Sequence, residues 1–325
     1  MQGRCRLPHP TPYWLLVSAY DRVREALRSG ALVLLDGAMG SELVRRGVRW
    51  RGHGLRTDPA AVQALHEEYI AAGADVIRTN TFQLNRRTYQ NVFRSPEHMR
   101  HIGAPDLESR APDLLKKAAA VARAARDRAG RPVAIAGVLS PLEHCFRPDL
   151  TPPADAARRE HAEIARVLAD AGVDFFILES MNTIAEARIA AEAALDTGLP
   201  VWVSFVLGPE GHILDREPLE EGARAMQALG VTVIGANCAP PDDITQAVPR
   251  LADGADRAAL AYAHIGHFDP PSWKFEFHPQ FGGTDAWPPA RYAKAARGWR
   301  QSGARIVGGC CGTTPDHIRA IREDA

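Results

Sequence analysis

The stretch Ser302-Gly303-Ala304-Arg305-Ile306-Val307-Gly308-Gly309-Cys310-Cys311-Gly312 sets a helix stop, a short buried strand and a glycine-flanked pair of thiols in direct succession. Adjacent cysteines do not readily bond to each other, because a disulfide has narrow geometry. Both thiols can still reach one metal ion where flanking glycines let the backbone bend sharply. Val231 to Cys238 has the same form, an apolar run that ends in Asn237-Cys238. Three cysteines at two strand ends point to one site for a soft cation, zinc, rather than to three separate core thiols.

Read outward from Ala304–Val307, the same unit of apolar run, polar or glycine-bearing turn and longer helical stretch recurs. The runs are Ala31–Leu35, Asp75–Arg78, Pro132–Val138, Val173–Leu178, Pro200–Leu207, Val231–Gly235, Ala258–Tyr262 and Ala304–Val307. They are apolar on both faces, as parallel strands covered by helices must be. Helices are expected over Ala60–Ala72, Glu108–Ala129, Ala154–Ala171, Ile184–Thr197, Pro218–Leu229, Asp242–Ala252 and Pro288–Ser302, several of them stopped by a glycine. Eight such units predict an α/β fold, a (β/α)8 TIM-type barrel. Ser18 to Arg28 adds an N-terminal extra helix behind a proline-bearing arm. No Gly-x-Gly-x-x-Gly follows the first strand, which argues against a dinucleotide fold.

Composition narrows the function. The chain has 325 residues, with 39 basic against 39 acidic side chains and no basic block, so neither nucleic acid nor an anionic membrane is an expected partner. No apolar run approaches the roughly 18 residues that span a bilayer, and the patch Tyr13 to Val17 is too short for a secretory leader. Five cysteines, an odd number, do not make a disulfide framework, and a cytoplasmic setting is expected.

In such a barrel the active site lies at the C-terminal strand ends. Those ends carry Asp36-Gly37, Thr79-Asn80-Thr81, Ser140 with Glu143, His144 and Cys145, Glu179-Ser180, Ser204, Asn237-Cys238, His264 and Cys310-Cys311. Three thiolates on Zn²⁺ leave one tetrahedral position for water or a substrate, unless Cys145, His144, His264 or His267 fills it. The metal so ligated is a poor Lewis acid for carbonyls but suits a fourth sulfur, whose thiol loses its proton and stays nucleophilic. His66, in His66-Glu67-Glu68, lacks the partner of a zincin motif and is expected on a helix surface.

Leu34 to Leu43, Thr79-Asn80-Thr81-Phe82, Leu178-Glu179-Ser180, Gly235-Ala236-Asn237-Cys238 and Gly308 to Thr313 resemble, in this order, the homocysteine S-methyltransferase family. The resemblance runs from about Ala31 to Ile321. It implies a single homocysteine-binding barrel domain over residues 1–325, with 1–30 as arm and helix. It also implies an enzyme that moves a methyl group from a small donor to L-homocysteine and forms methionine. By that likeness Cys238, Cys310 and Cys311 would ligate Zn²⁺, and Glu179 would receive the amino group. Asp36, Gly37 and Thr79 would complete the substrate site, with Asn237 as a catalytic residue beside the sulfur.

The chain departs from the family at Ala263-His264-Ile265-Gly266, where many relatives carry Pro-Asn-Ser/Ala-Gly, and in the loop from His267 to Trp287. Both departures bear on the methyl donor. S-methylmethionine or S-adenosylmethionine suits a free-standing barrel. Betaine would want an aromatic cage, for which Trp273, Phe275, Phe277 and Trp287 are the candidates. Competing readings are another thiol or selenol acceptor, and a barrel subunit of a corrinoid methyltransferase system.

Overall fold

The structure, a computed structural model, describes residues 18–48, 53–87, 109–253, 258–269 and 280–325. Its centre is an eight-stranded parallel sheet of β1 (Val33–Leu34), β2 (Val76–Arg78), β3 (Ala134–Leu139), β4 (Phe175–Met181), β5 (Val201–Val206), β6 (Val233–Asn237), β7 (Ala258–Tyr262) and β10 (Ala304–Val307). The order β1-β10-β7-β6-β5-β4-β3-β2 is closed by a parallel bridge from Leu35 to Val76, so the sheet is the predicted barrel. Around it run α3 (Pro59–Ala71), α4 (Ala111–Arg128), α5 (Ala154–Asp170), α6 (Ile184–Leu195), α7 (Leu219–Ala228), α8 (Pro241–Ala252) and α9 (Pro289–Gln301). The glycines after most of them, such as Gly73 and Gly303, take the positive φ expected of a C-terminal stop.

Two short helices and a hairpin go beyond the sequence reading. Helix α2 (Gly40–Arg45) follows the Asp36-Gly37 turn, and α10 (Pro315–Glu323) follows the thiol pair with Thr314 and His317 as a capping box. Part of the long connection after β7 is not loop but an antiparallel hairpin of β8 (His267–Asp269) and β9 (Gln280–Gly282). Trp273, Phe275, Phe277 and most of the connection from Phe82 to Arg110 lie outside the described residues.

Strand parity decides what faces the barrel axis. Side chains alternate along a strand. One set (Val33, Leu35, Val76, Ala134, Ala136, Phe175, Ile177, Trp202, Val233, Leu260, Tyr262, Ile306) packs together as an interior cluster. The other set, including Leu34, Ile77, Ile135, Phe176, Leu178, Val203, Ile234 and Val307, packs in the larger cluster that contains the helices. Helix α1 (Ala19–Ser29) closes the lower end: Val23 and Tyr20 join the interior cluster, and Trp202 Nε1 donates to Tyr20 Oη at 3.2 Å. Counting on in steps of two from the apolar interior positions brings Arg78, Glu179 and Ser204 (one step) and Asn237 (two steps from Val233) to the axis at the upper end. An apolar plug thus lies beneath a polar mouth.

His66 corrects an expectation. It is fully buried on α3, and neither ring nitrogen meets a partner among the described residues. Burial, with the nearby Arg78 charge, lowers its pKa to about 4, and burial likewise brings His53 to about 4 despite a 2.6 Å contact between its Nε2 and the Phe82 carbonyl. A histidine with a depressed folded pKa contributes stability above its unfolded value of 6.5, and that contribution is lost as pH falls toward 4. Each imidazole is linked to about 3 kcal/mol over that window. Urea midpoints should therefore decline between pH 6.5 and 4, and less steeply in His66→Leu. Parallel pH dependence in the two proteins would contradict the assignment.

Candidate active site

The thiols of Cys238, Cys310 and Cys311 converge, with their sulfurs all within 4.8 Å of one another. Cys238 follows β6 and adopts φ 52°, a left-handed conformation that turns the chain at the strand end. Cys310 and Cys311 follow β10 on a loop held by Gly309 N–H to the Asp36 carbonyl (3.1 Å), Cys310 N–H to the Ala263 carbonyl (2.9 Å) and Ile265 N–H to the Cys311 carbonyl (2.8 Å). The glycines are required by close approach. A Cβ on Gly308 would lie 2.5 Å from Leu35 Cβ, and one on Gly312 would collide with the Ile265 carbonyl.

The donor set fits zinc. Tetrahedral Zn–S bonds of about 2.3 Å place sulfurs about 3.8 Å apart, within the spread of this cluster. Hydrogen bonds from the Cys238 and Cys311 thiols, aided by the Arg78 charge, hold Cys310 well below the ordinary thiol range against its burial. Among the described residues no other cysteine, histidine or carboxylate joins the group at that spacing. Cys145 is buried nearby, its thiol pushed up to about 12 by burial and by Cys310.

Beside the thiols lies a residue that the sequence reading passed over. Arg78 is buried at the end of β2. Its Nε donates to Asp36 Oδ1 at 2.6 Å and its Nη1 to Glu179 Oε1 at 2.5 Å. Its Nη2 lies 2.9 Å from the Gly37 carbonyl and 2.8 Å from that of Gly309. The guanidinium also sits over the Tyr262 ring, 4.9 Å from its centroid. Burial works against the charge, but Glu179 and Asp36 outweigh it and keep Arg78 ionised. In turn burial raises the Asp36 and Glu179 carboxyls while Arg78 pulls both back. Interior parity on Val76-Ile77-Arg78 was the available signal.

The predicted site residues divide. Asp36 is fully buried, and both carboxylate oxygens accept from Arg78, Oδ2 from the backbone N–H at 2.9 Å. Thr79 clips β2 to β3: its hydroxyl accepts from Val138 N–H at 3.0 Å and pairs with Thr81 Oγ1 at 2.8 Å. Gly37 gives its carbonyl to Arg78, and its N–H has no partner among the described residues. Asn237 is locked to Ser180 by Oδ1 on the Ser180 N–H (3.0 Å) and Nδ2 on Ser180 Oγ (2.7 Å), which leaves Nδ2 4.0 Å from Cys310 Sγ. Ser180 itself has φ 54° at a register shift between β4 and β5. Glu179, Asn237 and the three cysteines therefore meet at the mouth, with Asp36 behind them. The face of Trp287 is covered by Arg291, whose Cζ lies 4.1 Å from the ring centroid.

Comparison with known proteins places the chain in a family. The sequence profile described as homocysteine S-methyltransferase matches residues 33–325. Betaine–homocysteine S-methyltransferase 1 of Pongo abelii is 28% identical over 93% of this chain and 74% of its own. An S-methylmethionine–homocysteine S-methyltransferase of Rattus norvegicus is 29% identical over 93% of this chain and 80% of its own. The metallated homocysteine methyltransferase MmuM from Escherichia coli shares the fold at a TM-score of 0.74, with 24% identity over 93% of this chain and 99% of that one. The chain, an enzyme by its relatives, belongs to the homocysteine S-methyltransferase family.

Proposed function

We propose that the protein transfers a methyl group from a small sulfonium donor to the sulfur of L-homocysteine, with Cys238, Cys310 and Cys311 holding one Zn²⁺. The observation that carries this reading is the convergence of three thiols beside a carboxylate, Glu179, whose Oε2 has no partner among the described residues. Zinc held there supplies acidity, drawing the proton from an acceptor thiol so that a nucleophilic thiolate exists at neutral pH.

The chain's own groups orient the acceptor. Glu179 Oε2 receives the ammonium, and the unpaired N–H at the Gly37 turn suits the carboxylate. Asn237, fixed by Ser180, presents its amide N–H toward the sulfur cluster. The acceptor sulfur bonds to the methyl carbon as that carbon's bond to the donor sulfur breaks. The electron pair leaves with the donor as a neutral thioether, and the thiol proton goes to water. Positioning carries much of the rate, since the reacting atoms must meet at about 3–3.5 Å. One face of Trp287 carries the Arg291 guanidinium and is closed to a donor cation; S-methylmethionine or S-adenosylmethionine is the donor assigned in this reading. Free thiols of this kind persist in a reducing compartment, and we assign the cytoplasm. No described helix is long and apolar enough to cross a membrane.

Purified protein should hold about one zinc per chain. Cys238→Ala, Cys310→Ala and Cys311→Ala should each lose most of it by elemental analysis. Full zinc in the Cys310→Ala/Cys311→Ala protein would rule the centre out. Glu179→Ala should keep its zinc but bind homocysteine about 10- to 100-fold more weakly, the worth of one charge-assisted hydrogen bond. Unchanged homocysteine affinity would remove Glu179 from the site. Methionine formation from homocysteine across a panel of sulfonium and betaine donors tests the reaction itself.

A further inference from the structure

Arg78 lies among the carboxylates that the proposed function needs, and its geometry sorts them. Asp36 is fully buried, and each of its oxygens already accepts from Arg78, one from the side chain and the other from the backbone N–H. Glu179 has one oxygen pinned by Nη1. The other has no partner among the described residues, yet it is not among the fully buried unpaired atoms, so it faces the mouth. We propose that Arg78 is the positioning residue for acceptor selectivity: by holding both oxygens of the buried Asp36 and one oxygen of Glu179, it leaves the second Glu179 oxygen aimed at the ammonium of an amino-acid thiol. This rests on homocysteine as the acceptor.

Charge arithmetic sets the direction. Two carboxylates and one guanidinium leave this group one negative charge in excess, and the thiolate cluster beside it is negative as well. An acceptor that brings an ammonium relieves the excess, whereas a thiol carrying only a carboxylate adds to it. The guanidinium therefore does not stand in for the ammonium. It fixes where the ammonium goes.

Only a planar fork can do this. The Arg78 donors reach Asp36, Gly37, Glu179 and Gly309 on three other chain segments at once. Lysine offers a point charge on a flexible stem and cannot span them. Arg78→Lys thus keeps the net charge while releasing Glu179 from its fixed orientation.

The test is calorimetric binding of L-homocysteine and of 4-mercaptobutanoate, its analogue without the amino group, to zinc-loaded protein, which requires no methyl donor. Wild type should prefer homocysteine by about 10- to 100-fold. In Arg78→Lys the preference should fall by about tenfold or more, with zinc content unchanged. Arg78→Met/Asp36→Asn, which strands no carboxylate at position 36, should show the same collapse and serves where the lysine variant does not fold. Weaker binding of both thiols by an equal factor leaves the ratio unchanged, marks Arg78 as framework only and overturns the proposal. A wild type that binds 4-mercaptobutanoate as tightly as homocysteine overturns it too. Absence of homocysteine binding in wild type would instead bring down the functional reading itself, and this proposal with it.

Discussion

A buried guanidinium, that of Arg78, is the constraint on which the mouth of this barrel depends. Its hydrogen bonds join the end of β1, the end of β2, the Glu179 position of β4 and the loop after β10. Such a charge is tolerable in a barrel core only because two carboxylates and several carbonyls answer it. Removing one partner of a buried pair typically costs about 3–5 kcal/mol, since the other is left uncompensated. The ends of β1, β2 and β4 and the loop after β10 are consequently coupled through the same few atoms.

The thiol loops show the complementary device, close packing of backbone. Gly308 lies against Leu35, and a Cβ on Gly309 would collide with Thr313, whose hydroxyl donates to the Cys310 carbonyl at 2.8 Å. Across the mouth, Ser180 and Cys238 are held in left-handed conformations that non-glycine residues rarely adopt. Strain of this kind is concentrated where a side chain must be aimed. Here it aims the Cys238 thiol at its two companions and sets the hydroxyl that fixes the Asn237 amide.

Much of this was legible in the chain. The recurrent unit of glycine stop, apolar run and polar end gave the barrel. The three cysteines at matching strand ends gave the thiol cluster, because both are local patterns repeated in register. What escaped depended on pairing across strands. Arg78 looked like the polar end of a strand, and only alternation counted from Val76 sends it inward to meet Asp36 and Glu179. The resemblance gave Thr79 a place in the substrate site, but not the bond by which its hydroxyl accepts from Val138 N–H of β3. His66 lies on α3, where polar neighbours Glu67 and Glu68 suggested exposure, but its own face packs inward. The strands β8 and β9 have three residues each, too short for alternation to mark them in the sequence.

The seam that closes the barrel has a meaning for how the protein is made. Asp36 and Leu35 sit near the start of the sheet, while their partners Gly309, Gly308 and Val307 come at its end, so contacts such as Leu35 N–H to the Val307 carbonyl (2.8 Å) span almost the whole sheet sequence. Chains emerge from the ribosome N-terminus first. Until β10 is released, β1 has an unpaired edge, Asp36 lacks its backbone neighbour at Gly309, and Cys238 is without its two companion thiols. The three-thiol cluster therefore assembles only once β10 has joined the sheet and the barrel closes. A chain that stops short of β10 cannot bring the three thiols together, and its open β1 edge is a template for pairing with other strands.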